Sequence, residues 1–282
     1  MRSFAFTAVF LSLTAALAAS SPLAPQSVRI EGYADEVMEP FVARDGRFLF
    51  FNTRNDPGAN ANIHFAEATG TGDFVHHGVL LGVNSYDLDG TPTMSADGRF
   101  CFVSPRDYRR FLVTVYCGAF DGKRVNGAEP QKTLPAERLG RLIFDVELAA
   151  DGQSLIFAEG TFSGGNVPDD ADLYLATLGP RGFVRSPESA RVFTNINTDE
   201  LEYAPAISTD GLELFFTRVT GFWPFTSTKI FRAQRTGVDQ PWGKPVRLEI
   251  EGFSEGPSLA PDGTLYFHRR LSGRYELWRL PR

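Results

Sequence analysis

One pattern of residues recurs along this chain and constrains its fold more than any other feature. An apolar run ends in Asp-Gly, and a second apolar run follows at once. Asp-Gly accepts the positive φ angles of a tight turn, so each copy predicts two antiparallel strands joined as a hairpin. Successive turn aspartates lie 52, 54, 59 and 52 residues apart, at Asp45, Asp97, Asp151, Asp210 and Asp262. A period near fifty residues, made of strands and turns, predicts a repeat architecture.

Each copy continues with signals for two further strands. A third apolar run follows a polar loop, and an aromatic residue after the next turn is expected to begin a fourth strand. These aromatic residues are Phe74, Phe120, Phe183 and Trp242. The last copy stops after its third strand, and residues 27–30 have no hairpin partner, so we expect them to supply its missing fourth strand. The sequence therefore predicts an all-β, five-bladed β-propeller with four antiparallel strands per blade, closed by an N-terminal strand that completes the last blade.

The first residues carry a different pattern. One positive charge, an apolar stretch and the small residues that end it predict a secretory signal peptide over residues 1–18, which leaves residues 19–282 as a single domain. A membrane anchor is the alternative, but the apolar stretch is shorter than the roughly 20 residues of a membrane span. No cysteine lies near the cleavage region to carry a lipid. We therefore expect a periplasmic or secreted monomer without an integral membrane segment.

Charge and cysteine content limit the partners and the chemistry. The net charge of −6 argues against nucleic acid or an anionic membrane as a partner, because both need a basic surface. Cys101 and Cys117 should lie opposite one another in paired strands, either as a disulfide or as two small buried apolar residues. The four histidines lack the spacing of metal ligands. We expect no metal or cofactor, with calcium at Asp169, Asp170 and Asp172 as the alternative.

The repeat resembles that of a known family. Proline, Ser or Ala ahead of Asp-Gly, a Leu-x-Phe strand, an arginine after it and an Asp-Leu-Tyr-like strand resemble the WD40-like repeat of TolB-type propellers, also called the PD40 repeat. The resemblance covers roughly residues 27–282 and implies the propeller fold. It implies no single activity, because this repeat occurs in binding proteins, in accessory domains of peptidases and in exported proteins of other kinds.

Candidate functional residues lie on the face opposite the Asp-Gly turns. Acidic residues precede each innermost strand, and arginines follow most of the second strands. They either pair with one another and stabilise the ring, or they leave carboxylates free in a pocket. An aromatic loop at residues 222–225 either stacks on a ligand or covers the channel. The candidate ligand-binding residues are Glu39, Arg54, Asn55, Arg106, Asp145, Glu202, Arg218, Trp223, Glu255 and Arg269.

A second resemblance concerns catalysis. Glu39-Pro40, Asp145 and Glu255-Gly256-Pro257 resemble the acid-Pro, Asp and Glu-Gly-Pro motifs of five-bladed arabinanase-type glycosidases, although those enzymes carry Asp in the first motif and Glu-Gly-Pro one blade earlier. The resemblance implies Glu39 as base, Glu255 or Glu202 as acid and Asp145 as a residue that adjusts the pKa of the acid. Our leading hypothesis is a binding or scaffold protein, not an enzyme, for a peptide, protein or glycan. A glycosidase-like hydrolase that uses these acids is the alternative.

Overall fold

The computed structural model describes residues 24–55, 60–70, 72–165, 167–221 and 226–282. The expected signal peptide and Trp223 lie outside these residues. Two single-turn helices, α1 (Tyr108–Phe111) and α2 (Ser189–Val192), accompany the strands, and neither is long or apolar enough to cross a membrane. The strands are β1 (Gln26–Ser27), β2 (Ile30–Glu31), β3 (Met38–Val42), β4 (Phe48–Asn52), β5 (Ile63–Ala68), β6 (Phe74–Val79), β7 (Gly90–Met94), β8 (Arg99–Val103), β9 (Val115–Phe120), β10 (Val125–Pro130), β11 (Arg141–Leu148), β12 (Ser154–Thr161), β13 (Asp170–Gly179), β14 (Gly182–Arg185), β15 (Leu201–Ile207), β16 (Glu213–Thr220), β17 (Ser227–Gln234), β18 (Val246–Arg247), β19 (Phe253–Leu259), β20 (Leu265–Leu271) and β21 (Arg274–Leu280).

Antiparallel pairing arranges most strands in consecutive groups, each built on one Asp-Gly turn. Group 1 is β3–β6, group 2 is β7–β10, group 3 is β11–β14, group 4 is β15–β18 and group 5 is β19–β21. A bridge between β13 and β15 joins groups 3 and 4 into one sheet. The glycines of the five turns have φ between 68° and 87°, a region that disfavours residues with a Cβ atom. The hairpin prediction is confirmed at every copy.

The N-terminal segment divides between two groups. β1 pairs antiparallel with β21, and the Val28 N–H donates to the Leu277 carbonyl oxygen, so this part completes group 5 as expected. From Ile30 onward the prediction is wrong, because β2 pairs in parallel with β6 of group 1. Val28 and Ile30 are both buried in the core between these groups. The segment therefore joins the last group to the first.

Two of the aromatic residues expected to begin fourth strands do not do so. Phe74 begins β6 and Phe183 lies in β14, as expected. Phe120 ends β9 instead, because the turn at Asp121-Gly122 follows it and Gly122 has a φ of 98°. Trp242 precedes β18 and is buried in the core between groups 3 and 4. Packing of a large ring, not strand pairing, fixes the position of Trp242.

The first strands of the groups lie against one another. β3 contacts β7, β7 contacts β11, β11 contacts β15, β15 contacts β19, and β19 contacts β3. The buried apolar residues fall into clusters that each lie between neighbouring groups, for example Phe50 with Phe100 and Ile156 with Phe216. Large rings fill these layers, with Phe50 and Phe100 edge to face at 5.0 Å between centroids. The first strands therefore surround a common axis.

Cys101 and Cys117 form a disulfide. They are direct partners in the pairing of β8 with β9, as the hairpin spacing predicted, and their Cα atoms are 4.1 Å apart. Both are buried in the core between groups 2 and 3. Of the two alternatives left open by the sequence, the structure has the disulfide.

Candidate functional site

The site begins with a bulge at an X-Pro dipeptide in four of the five first strands, all except β11. The pairing register shifts at the dipeptides Glu39-Pro40, Thr91-Pro92, Ala204-Pro205 and Gly256-Pro257, because proline has no N–H to offer the neighbouring strand. The residue before each proline has a φ of 47°, 48°, 48° and 62° in that order. Such angles are uncommon for residues other than glycine. The bulges release these residues from the ladder beside the common axis.

A side chain of the preceding group binds the N–H of each bulge residue. Asn52 Oδ1 accepts from Thr91 at 3.0 Å, Asp145 Oδ2 from Ala204 at 3.0 Å, and Thr217 Oγ1 from Gly256 at 3.2 Å. The Glu39 N–H donates to His268 Nδ1 at 3.1 Å, across the junction of groups 5 and 1. These hydrogen bonds hold an otherwise unfavourable backbone and tie neighbouring groups together.

Three carboxylates that have no arginine partner among the described residues meet at this end of the axis. We call Glu39, Asp145, Tyr203, Glu255 and His268 the mouth cluster. The Tyr203 hydroxyl donates to Glu255 Oε2 at 2.5 Å, and His268 Nε2 lies 3.1 Å from Glu255 Oε1. His268 is fully buried, and Asp145 and Glu255 are nearly so. Since His268 Nδ1 accepts the Glu39 N–H, the ring proton of neutral His268 lies on Nε2, toward Glu255.

Burial controls the protonation of this cluster. It raises the pKa of Glu39 to about 8, against the opposing effect of His268 and with added repulsion from Asp145 and Glu255. Burial also raises the pKa of Asp145 to about 8, although the hydrogen bond from the Ala204 N–H acts in the other direction. Two acids near neutral pH therefore hold protons that exposed carboxylates would have lost.

The cluster borders a small cavity on the common axis. The cavity measures about 30 Å³ and is lined by Glu39, Asp145, Glu147 and the prolines of the bulges. Its size suits about one or two water molecules. A ligand larger than water would therefore contact the cluster from outside, at the mouth.

The opposite end of the axis is occupied by an ion pair. The Arg44 guanidinium of group 1 donates to Glu147 Oε1 of group 3 at 2.6 Å and to the Ile207 carbonyl oxygen of group 4 at 2.9 Å. Thr93 of group 2 donates to the second Glu147 oxygen at 2.9 Å. Groups 3 and 4 lie across the axis from group 1, and both charged side chains are buried. Arg44 therefore crosses the axis on the side of the Asp-Gly turns.

Two other buried acids of the candidate face, Glu202 and Asp89, are paired with arginine. Glu202 Oε1 accepts from Arg218 at 2.7 Å and also binds Thr198, while burial raises the pKa of Glu202. Asp89 accepts from Arg106 at 2.5 Å. Of the predicted ligand-binding residues, Glu202, Arg218 and Arg106 therefore form ion pairs that hold loops in place, and they do not join the mouth cluster.

The other predicted ligand-binding residues are separated. Asn55 accepts a hydrogen bond from Asn52 at 2.8 Å and stays within its own loop. Arg269 stacks on Trp278 at 5.0 Å and faces group 4, away from the mouth cluster. Arg54 is exposed near Tyr275, at the edge of the cluster. Trp223 falls outside the described residues.

Among the described residues, no set of three or more His, Cys, Asp or Glu side chains is arranged to hold a metal ion. The three acids considered for calcium have other partners or positions. Asp170 accepts from Arg141 at 2.8 Å, Asp169 accepts from Ser163, and Asp172 lies within β13.

The fold is shared with solved enzymes at low sequence identity. The catalytic domain of a GH62 α-L-arabinofuranosidase from Coprinopsis cinerea is 10% identical, with 92% of this chain and 96% of that chain covered and a TM-score of 0.56. A family-117 glycoside hydrolase from Zobellia galactanivorans is 10% identical, with 91% and 89% covered and a TM-score of 0.55. A thermostable family-43 glycoside hydrolase is also 10% identical, with 89% and 90% covered and a TM-score of 0.54.

These likenesses show the fold alone: the chain is an all-β protein of the propeller kind. A TolB-like protein from Agrobacterium tumefaciens is 19% identical. The match covers 70% of this chain and 59% of the TolB-like chain, with a TM-score of 0.42. No protein-family model matches the chain, and no curated protein matches it. The propeller likeness stated from the sequence is supported, and the assignment to the PD40 repeat stays a prediction.

Sequence reasoning missed His268 and Tyr203. It grouped His268 with three scattered histidines, and it treated Tyr203 as part of a strand. The signal for His268 was its position after the last phenylalanine of a second strand, where Asn52 and Thr217 stand in groups 1 and 4. A buried polar residue recurring at that position indicates a hydrogen bond to the neighbouring group.

Proposed function

We propose that the chain is a five-bladed β-propeller that hydrolyses a glycosidic bond at the mouth cluster. The closed order of contacts among the first strands, from β3 through β19 and back to β3, supports five blades. The observation that supports catalysis is that Glu39, Asp145 and Glu255 lie together with no arginine partner among the described residues, while the buried acids Asp89 and Glu202 of groups 2 and 4 are ion-paired. Acids held protonated near neutral pH are typical of catalytic sites, and ion-paired ones are typical of structural sites.

The chemistry of the two glutamates suits acid–base hydrolysis. Glu39 is protonated at neutral pH and donates its proton to the glycosidic oxygen as the leaving sugar departs. Glu255, which accepts from Tyr203, takes a proton from the water that attacks the anomeric carbon. Both glutamates then exchange protons with solvent and regain their starting forms. These roles reverse those implied by the arabinanase-type motifs, because burial favours the acid form of Glu39.

Asp145 and His268 act on the acids without contacting substrate in this proposal. Asp145 adds repulsion that raises the pKa of Glu39, and His268 holds the Glu39 backbone through its N–H. Solved glycoside hydrolases of families 43, 62 and 117 have the same fold, which makes a glycan a reasonable first substrate class. The Cys101–Cys117 disulfide supports an exported, periplasmic or secreted protein, since disulfides persist in oxidising compartments.

The test is a screen of the purified protein against neutral and acidic polysaccharides, with release of reducing sugar as the readout. Glu255→Gln and Glu39→Gln should each lower turnover about 100-fold or more without lowering the melting temperature below that of wild type. Glu202→Gln is the contrasting variant: it breaks a buried ion pair and should lower the melting temperature. Turnover that survives both Gln variants of the mouth cluster would exclude the proposed roles.

A binding module is the second candidate, and the size of the axial cavity favours it. About 30 Å³ holds water and no sugar ring, so a ligand would be held at the mouth and not enclosed. A binding protein predicts that a peptide, protein or glycan is retained without any release of product. Saturable binding with no hydrolysis of any glycan in the screen would select this candidate.

A further inference from the structure

Two arginines, Arg269 and Arg270, lie near the end of the second strand in group 5, and their environments differ from those of the arginines in groups 2 and 4. Arg106 and Arg218 each bind a buried carboxylate, at 2.5 and 2.7 Å. In group 5 the position opposite Arg269 holds Ser254 and no carboxylate, and Glu255 pairs in register with His268. Arg270 lies opposite Phe253, is exposed, and makes no ion pair or hydrogen bond within the part of the chain that the structure describes.

Tyr275 connects this free arginine to the mouth cluster. The Tyr275 ring lies 5.4 Å from the His268 ring, centroid to centroid. The guanidinium groups of Arg270 and Arg54 lie 5.8 and 5.9 Å from the centre of the Tyr275 ring. We call Arg54, Arg270 and Tyr275 the basic cleft. It lies between groups 5 and 1, beside His268 and Glu255 of the mouth cluster.

The charge of the basic cleft is only partly neutralised. Glu36 Oε2 lies 3.7 Å from Arg54, a distance beyond a hydrogen bond, and Glu36 Oε1 accepts from the Tyr275 N–H at 3.1 Å. The Arg54 side chain is 45% exposed. Asp35 is an exposed acid of the same loop. Arg270 therefore has no acidic partner among the described residues, on a protein whose net charge is −6.

We propose that the basic cleft binds an anionic substituent of a sugar, so that the glycan at the mouth cluster is acidic, with a carboxylate or sulfate group beside the bond. A guanidinium group binds such oxyanions through two parallel hydrogen bonds. The Tyr275 ring offers an apolar surface to the C–H groups of the sugar. This inference rests on the proposed glycan-directed function, and it adds the class of glycan.

The test measures binding, separately from turnover, by titration calorimetry at low and at high salt. The probes are an oligogalacturonide, a sulfated galacto-oligosaccharide and a neutral galacto-oligosaccharide of equal length. At least one acidic probe should bind about tenfold more tightly than the neutral one, with the preference lost at high salt. Arg270→Gln should remove that preference, and Arg247→Gln, at an exposed ion pair with Glu249 on an outer strand, should not.

Glu36→Gln should increase the affinity for acidic probes, and misfolding cannot produce such an increase. The amide oxygen can still accept from the Tyr275 N–H, but the charge that competes for Arg54 is gone, so acidic probes should bind more tightly than to wild type. Equal binding of acidic and neutral probes, or no binding of any, overturns the inference. Charge-selective binding without hydrolysis supports the basic cleft and refutes the proposed catalysis. Hydrolysis of neutral glycans alone supports the proposed catalysis and refutes the basic cleft.

Discussion

Glu39 combines two features that are unfavourable in isolation. Its backbone has a φ of 47°, and its carboxyl group is held among two other acids in a poorly solvated position. Backbone strain of this kind persists only where the surrounding structure maintains it. Here His268 binds the Glu39 N–H, and the Gly256 Cα lies so close that an added Cβ would come within 2.9 Å of Glu39 Oε2. Gly256 therefore has a steric role as well as a conformational one.

Protonation of Glu39 and Asp145 predicts how stability changes with pH. Their pKa values rise from 4.5 and 3.8 to about 8 on folding, so the native state binds more protons than the unfolded state in this range. This contribution is fully present below about pH 4 and is lost as pH rises toward 8. The melting temperature of Glu39→Gln should consequently fall less between pH 5 and about 8 than that of wild type, as followed by circular dichroism.

A variant of an exposed acid provides the comparison for this measurement. Glu129→Gln removes a carboxylate that makes no ion pair among the described residues and should leave the pH dependence of the melting temperature as in wild type. Parallel curves for wild type and Glu39→Gln would show that Glu39 is not held protonated by the fold.

At the scale of elements, each bulge depends on a side chain of the neighbouring group. Thr217 is fully buried, and its hydroxyl accepts from the Gly256 N–H. Thr217→Val keeps the shape and leaves that N–H without a partner, which should cost about 1–3 kcal/mol of unfolding free energy. Chemical denaturation gives this value directly.

Thr228 supplies a matched control on the next strand. It is also buried, but its hydroxyl has no hydrogen-bond partner within the described structure. Thr228→Val should therefore change the unfolding free energy little or raise it. If Thr217→Val lowers the unfolding free energy no more than Thr228→Val does, the hydrogen bond between groups contributes nothing to stability.

Sequence reasoning predicted the hairpins because their signals are local. Asp-Gly turns and the apolar runs beside them depend on neighbouring residues, and all five formed as expected. It failed at Trp242, where burial between groups decided the position of the ring, and at Phe120, where the turn at Asp121-Gly122 ends the strand. It listed Glu202 and Glu255 as equivalent acids, but their partners differ: one faces Arg218 and the other His268. That difference arises from the residue opposite in the ladder, which requires the register to be known.

At the scale of the whole molecule, the N-terminal segment joins the last group to the first. Val28 is buried in the core shared by groups 5 and 1, whereas the adjacent Arg29 is exposed. Val28→Ser should lower the unfolding free energy by about 1–3 kcal/mol through lost apolar burial, and Arg29→Ser should have little effect. Denaturant titration of both variants tests this role, and equal stabilities would indicate that closure does not depend on the segment.

The ion pair of Arg44 with Glu147 has a consequence for any polymer that reaches the molecule. Because Arg44 spans the axis from group 1 to groups 3 and 4, it seals the far end, and the passage between the strand groups is blind. A long strand cannot thread along the axis, and because the axial cavity holds only water, the strand must lie across the mouth from outside. A polymer bound there approaches the molecule and leaves it on the same side.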